Sequence, residues 1–500
     1  MDKKLYAYDL TFVLMVGMLA MLHYLAWANF PPDVDPIHFT FALSHNFSPA
    51  VDTPHPPGYP LYVFAGRLAA ALVGEHHAYQ FVNLSMLLGS GGALYWLFRH
   101  FNAAAVGIAS AVLLMSHPLA WAATVIPECY VSDLFFGCAI LALVMTQQDS
   151  GRRLLTGVFI LFFLLGLIRP VSGAMLLPLA MVASYKTTHS KSRPIFVAVA
   201  ATIAVALAYA ITVSISGGWE TYRTATDRVM GEAFRKSSIF GGAPLSAHLF
   251  MLQRLFGWLL FFSLPMAIIM FIAGLTSKWK LQFGQHASAL MIGGAWLLPP
   301  LAFYSLIYYL KPTYQLIYLP CLLIPIAWAL LRKDSTFNQL GAKLILSGLV
   351  IVQFAIFFLP IPNTPEPIRR LTHAYFTQQD QAWEELTQKL AAMPRKNTLL
   401  IWAAHPSLTG WAVRLLDWEG PIGMAFPTRS RLDYIDSTTK NWVPSGEADT
   451  KIDKKYDGVV IVDELAGKCV VQYIPLKNRQ LRRVDYLLKR ARRSAFNQSS

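Results

Sequence analysis

Asp33, Asp35, His38, His45, Asp52 and His55 crowd one stretch of this 500-residue chain, directly after an apolar run near its N-terminus. Carboxylates and imidazoles at such spacing can move protons. One acid of the Asp33-Val34-Asp35 pair can serve as general base while the other tunes it, or the two together can hold a divalent cation. The plain alternative is a pair of solvated loop acids. The stretch closes with His55-Pro56-Pro57-Gly58-Tyr59-Pro60-Leu61-Tyr62. Three prolines and a glycine in six residues leave that backbone little entropy to lose. A wall so stiff would aim His55 and Tyr59 at a substrate, and it would also seat the amphipathic segment 61–74 on a membrane.

The elements that must position these groups are membrane helices. Apolar residues form 55% of the chain and charged residues 14%, a balance that selects a polytopic membrane protein over several soluble domains. Taking about 20 apolar residues as one crossing, the sequence predicts about eleven transmembrane helices. Their spans are 8–29, 80–98, 102–120, 129–147, 154–169, 171–185, 194–214, 250–274, 285–309, 313–331 and 342–361. The first is read as a retained helix, because its apolar run is long for a signal peptide and lacks a clear small-residue cleavage site. Lys3 and Lys4 precede it, and short basic clusters such as Arg152-Arg153 and Arg332-Lys333 fall in every second loop. That alternation predicts a cytoplasmic N-terminus and an odd number of crossings. The net charge of +14 thus has a topological source, and nucleic-acid binding is not expected. Cys129, Cys138, Cys321 and Cys469 show no zinc or disulfide spacing.

On this topology the acidic stretch, the His117–Glu128 turn, Arg169, the 215–249 loop and Lys311 share the non-cytoplasmic side. Composition changes near residue 362. Two domains are therefore expected: a membrane domain over 1–361, with a catalytic first outer loop at 30–79, and a small soluble α/β extracytoplasmic domain over 362–500. In the latter, 381–393 has helical spacing, and 398–402, 459–462 and 470–474 read as strands. The basic end, 482–493, predicts an amphipathic helix, either solvated or facing anionic headgroups.

Further ionisable groups sit at predicted helix ends. Glu128 follows Pro127, where a carboxylate can orient an acceptor, bind a cation or simply answer the helix dipole. Asp133, one turn deeper, is costly in lipid and should face the bundle interior. Arg169 and Lys311 precede Pro170 and Pro312, prolines that interrupt helices and free backbone polar groups. Cations there can hold a membrane-borne phosphate or merely snorkel. In 215–249, arginines alternate with acids, the pattern of a solvated, salt-bridged segment. No Walker loop, dinucleotide glycine fingerprint or paired-histidine metal motif occurs.

An acidic residue after the first helix followed by the motif from His55 to Tyr62 resembles the GT-C class of polytopic glycosyltransferases. It is most similar to the HPPGYPL-type branch related to protein O-mannosyltransferases and uncharacterised bacterial membrane proteins. The resemblance is strongest over 30–145, includes Asn83 and Pro127-Glu128-Cys129-Tyr130, and continues as Arg169-Pro170 and Lys311-Pro312-Thr313-Tyr314. It implies a polyprenyl- or dolichyl-phosphate sugar donor and transfer outside the cytoplasm. Asp35 matches the position of the family's catalytic aspartate, and Glu128 with Tyr130 match its later acid-x-Tyr pair. Where mannosyltransferase-like members have Asp-Ser-Gly-Glu, this chain has Asp35-Pro36-Ile37-His38, so a histidine replaces the second acid.

The expectation is a GT-C-like α-helical membrane glycosyltransferase of the cell envelope, in a bacterial inner or plasma membrane. It would move a hexosyl or pentosyl unit from a polyprenyl-phosphate donor to an extracytoplasmic protein, lipid or glycan. Asp35 is the expected base with Asp33 as substitute, and the same two acids are the candidates for any divalent cation. His38, His55, Tyr59, Glu128, Tyr130, Arg169, Lys311 and Tyr314 are the expected substrate-binding residues. A transporter or flippase of lipid-linked saccharides is the alternative, for which mid-membrane charges and internal repeats would be expected.

Overall fold

The computed structural model describes residues 3–29, 34–51, 53–126, 128–147, 151–188, 190–276, 283–309, 311–331, 338–360, 362, 364–396, 398–402, 418, 422–425, 432–435, 442–443, 457–465 and 468–475. Asp33, Asp52, Pro127 and the basic stretch 482–493 lie outside them. Two compact units result. The first comprises 1–27, 47–50 and 55–375, and the second 28–46, 51–54 and 376–500.

The first unit is a bundle of apolar helices. In chain order the helices are α1 (Lys3–Leu25), α2 (Val34–Ser44, in the second unit), α3 (Pro60–Val73), α4 (Ala78–His100), α5 (Ala104–Ser116) and α6 (Pro118–Val125). Then come α7 (Val131–Thr146), α8 (Gly151–Gly166), α9 (Pro170–Thr188), α10 (Arg193–Ile215), α11 (Trp219–Thr226) and α12 (Glu232–Ser237). The unit continues with α13 (Leu245–Thr276), α14 (Phe283–Leu306), a 3-10 run Pro312–Tyr318, α15 (Leu319–Leu331), α16 (Gln339–Phe358) and the short α17 (Glu366–Arg369). Each predicted span has a helix at its position. Among the described residues, six helices qualify as full crossings by length and hydropathy, or seven if α5 and α6 count as one bent span, against the eleven or so expected. This is an integral membrane protein.

The span expected at 102–120 breaks at His117-Pro118 with a bend of 56°. Pro118 has no N–H to donate and pushes the preceding residue out of the helical region. His117 is accordingly extended (φ −66°, ψ 135°), and its Nδ1 accepts the Leu119 amide, capping α6. The stretch expected as a loop at 30–79 contains α2 and α3. Asp35 and His38 therefore sit on a helix, one turn apart. Proline at the first position of α3 explains its start.

The second unit carries α18 (His373–Ala391, of which 376 onward belongs here) and a six-stranded sheet. The strands are β1 (Thr398–Trp402), β2 (Ile422–Ala425), β3 (Leu432–Ile435), β4 (Trp442–Val443), β5 (Gly458–Leu465) and β6 (Lys468–Pro475), ordered β4-β3-β2-β1-β5-β6. β1 pairs parallel with β2 and β5, and the outer pairs are antiparallel. Leu386 and Leu390 of α18 pack with Leu400, Trp418, Val460 and Val462 as its core. The three predicted strands are all present.

Candidate functional site

Glu128 stands between α6 and α7, and α4 holds it there. The end of α6 leaves carbonyls without helical partners. Asn83 of α4 donates from Nδ2 to the carbonyls of Ala123 (2.8 Å) and Glu128 (2.9 Å), and Gln80 donates to that of Val125 (2.9 Å). Tyr62 of α3 donates to Asn83 Oδ1 at 3.0 Å, which orients the carboxamide. Burial pushes the Tyr62 phenol well above its ordinary range, so it remains a donor. The glutamate side chain is 2% exposed, and Lys311 Nζ meets Oε1 at 2.5 Å while Thr313 Oγ1 donates to Oε2 at 3.2 Å. Lys311 is 20% exposed. The acid is sealed, and the lysine is the more exposed partner.

A second pair repeats this asymmetry. Asp133, in the first turn of α7, is 1% exposed and binds Arg169 Nη1, whose side chain is 13% exposed. Asp133 faces the interior as expected, with Arg169 as its partner. Arg169 lies in the turn between α8 and α9, where its amide bonds the Leu165 carbonyl and Pro170 starts the next helix. Its guanidinium lies 4.6 Å from the Tyr130 ring centre and 5.7 Å from that of Tyr314. Those rings pack edge to face at 4.7 Å, and Tyr304 of α14 stacks on Tyr314 at 5.2 Å. Tyr130 is two residues from Glu128 and Tyr314 three from Lys311, so the aromatic ridge joins the two ion pairs into one site.

The 3-10 run that follows Lys311 is pinned by Trp296, whose Nε1 donates to the Ile317 carbonyl at 2.6 Å. Gly137 makes room for that indole, since a Cβ there would lie 2.8 Å from it. The Tyr59–Pro60 end of the proline-rich wall also reaches the site's frame, because the Leu61 amide bonds the Leu167 carbonyl beside Arg169 at 3.2 Å. Gly58 takes φ +95°, and a Cβ would come within 3.0 Å of Phe47 and Pro49. Tyr59 is left-handed at φ 52°, a conformation that costs energy in a non-glycine residue and often marks function. Its hydroxyl bonds His55 Nε2 at 3.3 Å.

Of the expected site residues, Glu128, Tyr130, Arg169, Lys311 and Tyr314 come together directly, and His55 and Tyr59 form their own pair within the same unit. Asp35 and His38 belong to the second unit, half-buried and buried respectively on α2. Among the described residues no group of three or more histidine, cysteine or carboxylate side chains is arranged to hold a metal ion. Sequence reasoning missed Thr313 as a Glu128 partner and Tyr304 as part of the ridge. A threonine two residues after Lys311 was the only local hint.

No protein-family model matches the chain, and no curated protein is similar to it by sequence. Its fold is nevertheless shared. ArnT from Cupriavidus metallidurans aligns over 92% of this chain and 93% of its own, at 14% identity, with a TM-score of 0.53 in the apo state. The structure of that protein bound to undecaprenyl phosphate aligns over the same shares at 14% identity with a TM-score of 0.56. The archaeal oligosaccharyltransferase AglB from Archaeoglobus fulgidus aligns more loosely, with a TM-score of 0.39 at 13% identity over 79% of this chain and 62% of that one. The likeness to ArnT shows that the chain shares its fold.

Proposed function

We propose that this protein is an integral membrane glycosyltransferase that takes a sugar from a polyprenyl-phosphate donor and places it on an extracytoplasmic acceptor. The observation that carries this reading is the pair of cations, Lys311 and Arg169, each paired with a buried carboxylate and joined by one tyrosine ridge. Fixed cations with buried counter-ions are suited to a phosphate whose charge grows as the sugar leaves. The fold supports it too, since ArnT, which has that fold, binds undecaprenyl phosphate.

In the proposed reaction an acceptor oxygen attacks the anomeric carbon while the bond from that carbon to the phosphate oxygen breaks. The electron pair leaves with the polyprenyl phosphate, whose charge Lys311 and Arg169 stabilise. Asp35 takes the acceptor's proton, with Asp33 as the substitute and His38 beside it. Inversion at the anomeric carbon follows from this single displacement. His55 and Tyr59 shape the sugar site, and Tyr130 and Tyr314 line the ridge. The donor sugar is a hexosyl or pentosyl unit, and the motif from His55 to Tyr62 allies the protein with the O-mannosyltransferase-related branch. The N-terminus is cytoplasmic, the domain from 362 onward is extracytoplasmic, and the membrane is a bacterial inner membrane.

The test is consumption of radiolabelled polyprenyl-phosphate sugars by purified protein in lipid with crude membrane acceptors. Wild type should turn over one donor, and Asp35→Asn should lose turnover by about two or more orders of magnitude. Donor that is bound by both and consumed by neither would sink the transferase reading, and movement of donor across vesicles would then mark a flippase.

A further inference from the structure

α18 buries one stripe: Phe376, Leu386 and Leu390 are buried, and Trp383 packs against the sheet core. Asp380 falls on that stripe, four residues after Phe376 and three before Trp383, where the spacing of an amphipathic helix calls for an apolar side chain. It is half-buried there, and its Oδ2 accepts the backbone N–H of Asn29 at 2.9 Å. Asn29 lies between the end of α1 and the start of α2, six residues before Asp35. Both partners belong to the second unit.

A carboxylate is a poor choice for a core stripe unless its charge is used. Here it makes a charge-assisted bond to a backbone donor, stronger than a bond between neutral groups. The bond fixes the backbone at Asn29, after the end of α1. We infer that Asp380 is a positioning residue: it holds the lead into α2 and so sets where Asp35 is presented. Asp35 and Asp380 belong to the same unit, so the clamp acts within it. This rests on the transferase reading, in which Asp35 takes the acceptor's proton.

Hydrogen exchange and kinetics on the full-length protein in lipid test it together. Asp380→Ala should raise exchange at 28–29 and across 34–44 about tenfold and lower kcat about tenfold, with KM for the donor within about twofold of wild type. Glu384→Ala, on the exposed face of the same helix, should change neither. Asp380→Asn keeps an acceptor oxygen and should recover most of the rate. Asn29→Pro removes the donor N–H and should match Asp380→Ala, and the double variant should be no slower than the slower single. Unchanged exchange in Asp380→Ala would overturn the clamp. Raised exchange with wild-type kcat, or effects that multiply in the double variant, would overturn the positioning role. A wild type that consumes no donor sinks the transferase reading alone, because the exchange arm still decides the clamp.

Discussion

The two ends of α4 meet ion pairs of opposite design. At its C-terminal end Arg99 grips Asp9 of α1 through two bonds, Nε to Oδ1 at 2.7 Å and Nη2 to Oδ2 at 3.0 Å, and Tyr95 adds a third to the same carboxylate. Acid and base are about equally exposed there, 37% and 41%. Near its N-terminal end, about 24 Å away at 1.5 Å per residue, Asn83 steadies the loop of Glu128. In the Glu128–Lys311 and Asp133–Arg169 pairs the acid is sealed and the base only slightly exposed, 20% for Lys311 and 13% for Arg169. The first pair spends its charge on joining two helices. The others hold a largely enclosed cation against an acid that cannot reach water. Position of the buried partner, more than the presence of a pair, separates an anchor from a binding surface.

Substitutions at three positions probe that distinction. Lys311→Ala should have the largest effect, a loss of donor turnover of about two to three orders of magnitude, because a fixed cation facing the leaving phosphate is removed. Lys311→Arg should keep part of it, and a wild-type rate in Lys311→Ala would erase the difference between the two ends of α4. Asp133→Asn leaves Arg169 as a poorly compensated charge in the bundle, which costs about 3–5 kcal/mol when one partner of a buried pair is lost. Thermal unfolding in detergent should show a clear drop in Tm; an unchanged Tm would mean that Arg169 does not depend on Asp133. Asp9→Asn should matter least, leaving turnover within about twofold of wild type, since an exposed pair adds little. A rate collapse there would show that the anchor reaches the chemistry.

Much of the architecture was legible because hydrophobic runs and helix breakers act locally. Pro170 and Pro312 marked the turns that carry Arg169 and Lys311, and β1, β5 and β6 showed as β-branched runs. β2, β3 and β4 were missed because they are short and take their strand character from their neighbours: β2 is Ile-Gly-Met-Ala and acquires its form by pairing with β1. The break at His117-Pro118 was readable in the proline yet was absorbed into one predicted span, because the apolar run continues through it. The helix at Asp35 was hidden by Pro36, which suits a first turn as well as a loop.

The sequence alone determined that the chain enters a membrane, where its prolines turn it, and which ionisable residues stand at those turns, since burial cost and backbone sterics are properties of a residue and its immediate neighbours. It could not determine which acid meets which base. Glu128 and Lys311 are 183 positions apart, and Asn29 and Asp380 are 351 apart. Such partnerships exist only once packed helices bring distant segments together and exclude the water that would otherwise solvate each charge alone. Tertiary structure decided them, and with them which charges are enclosed.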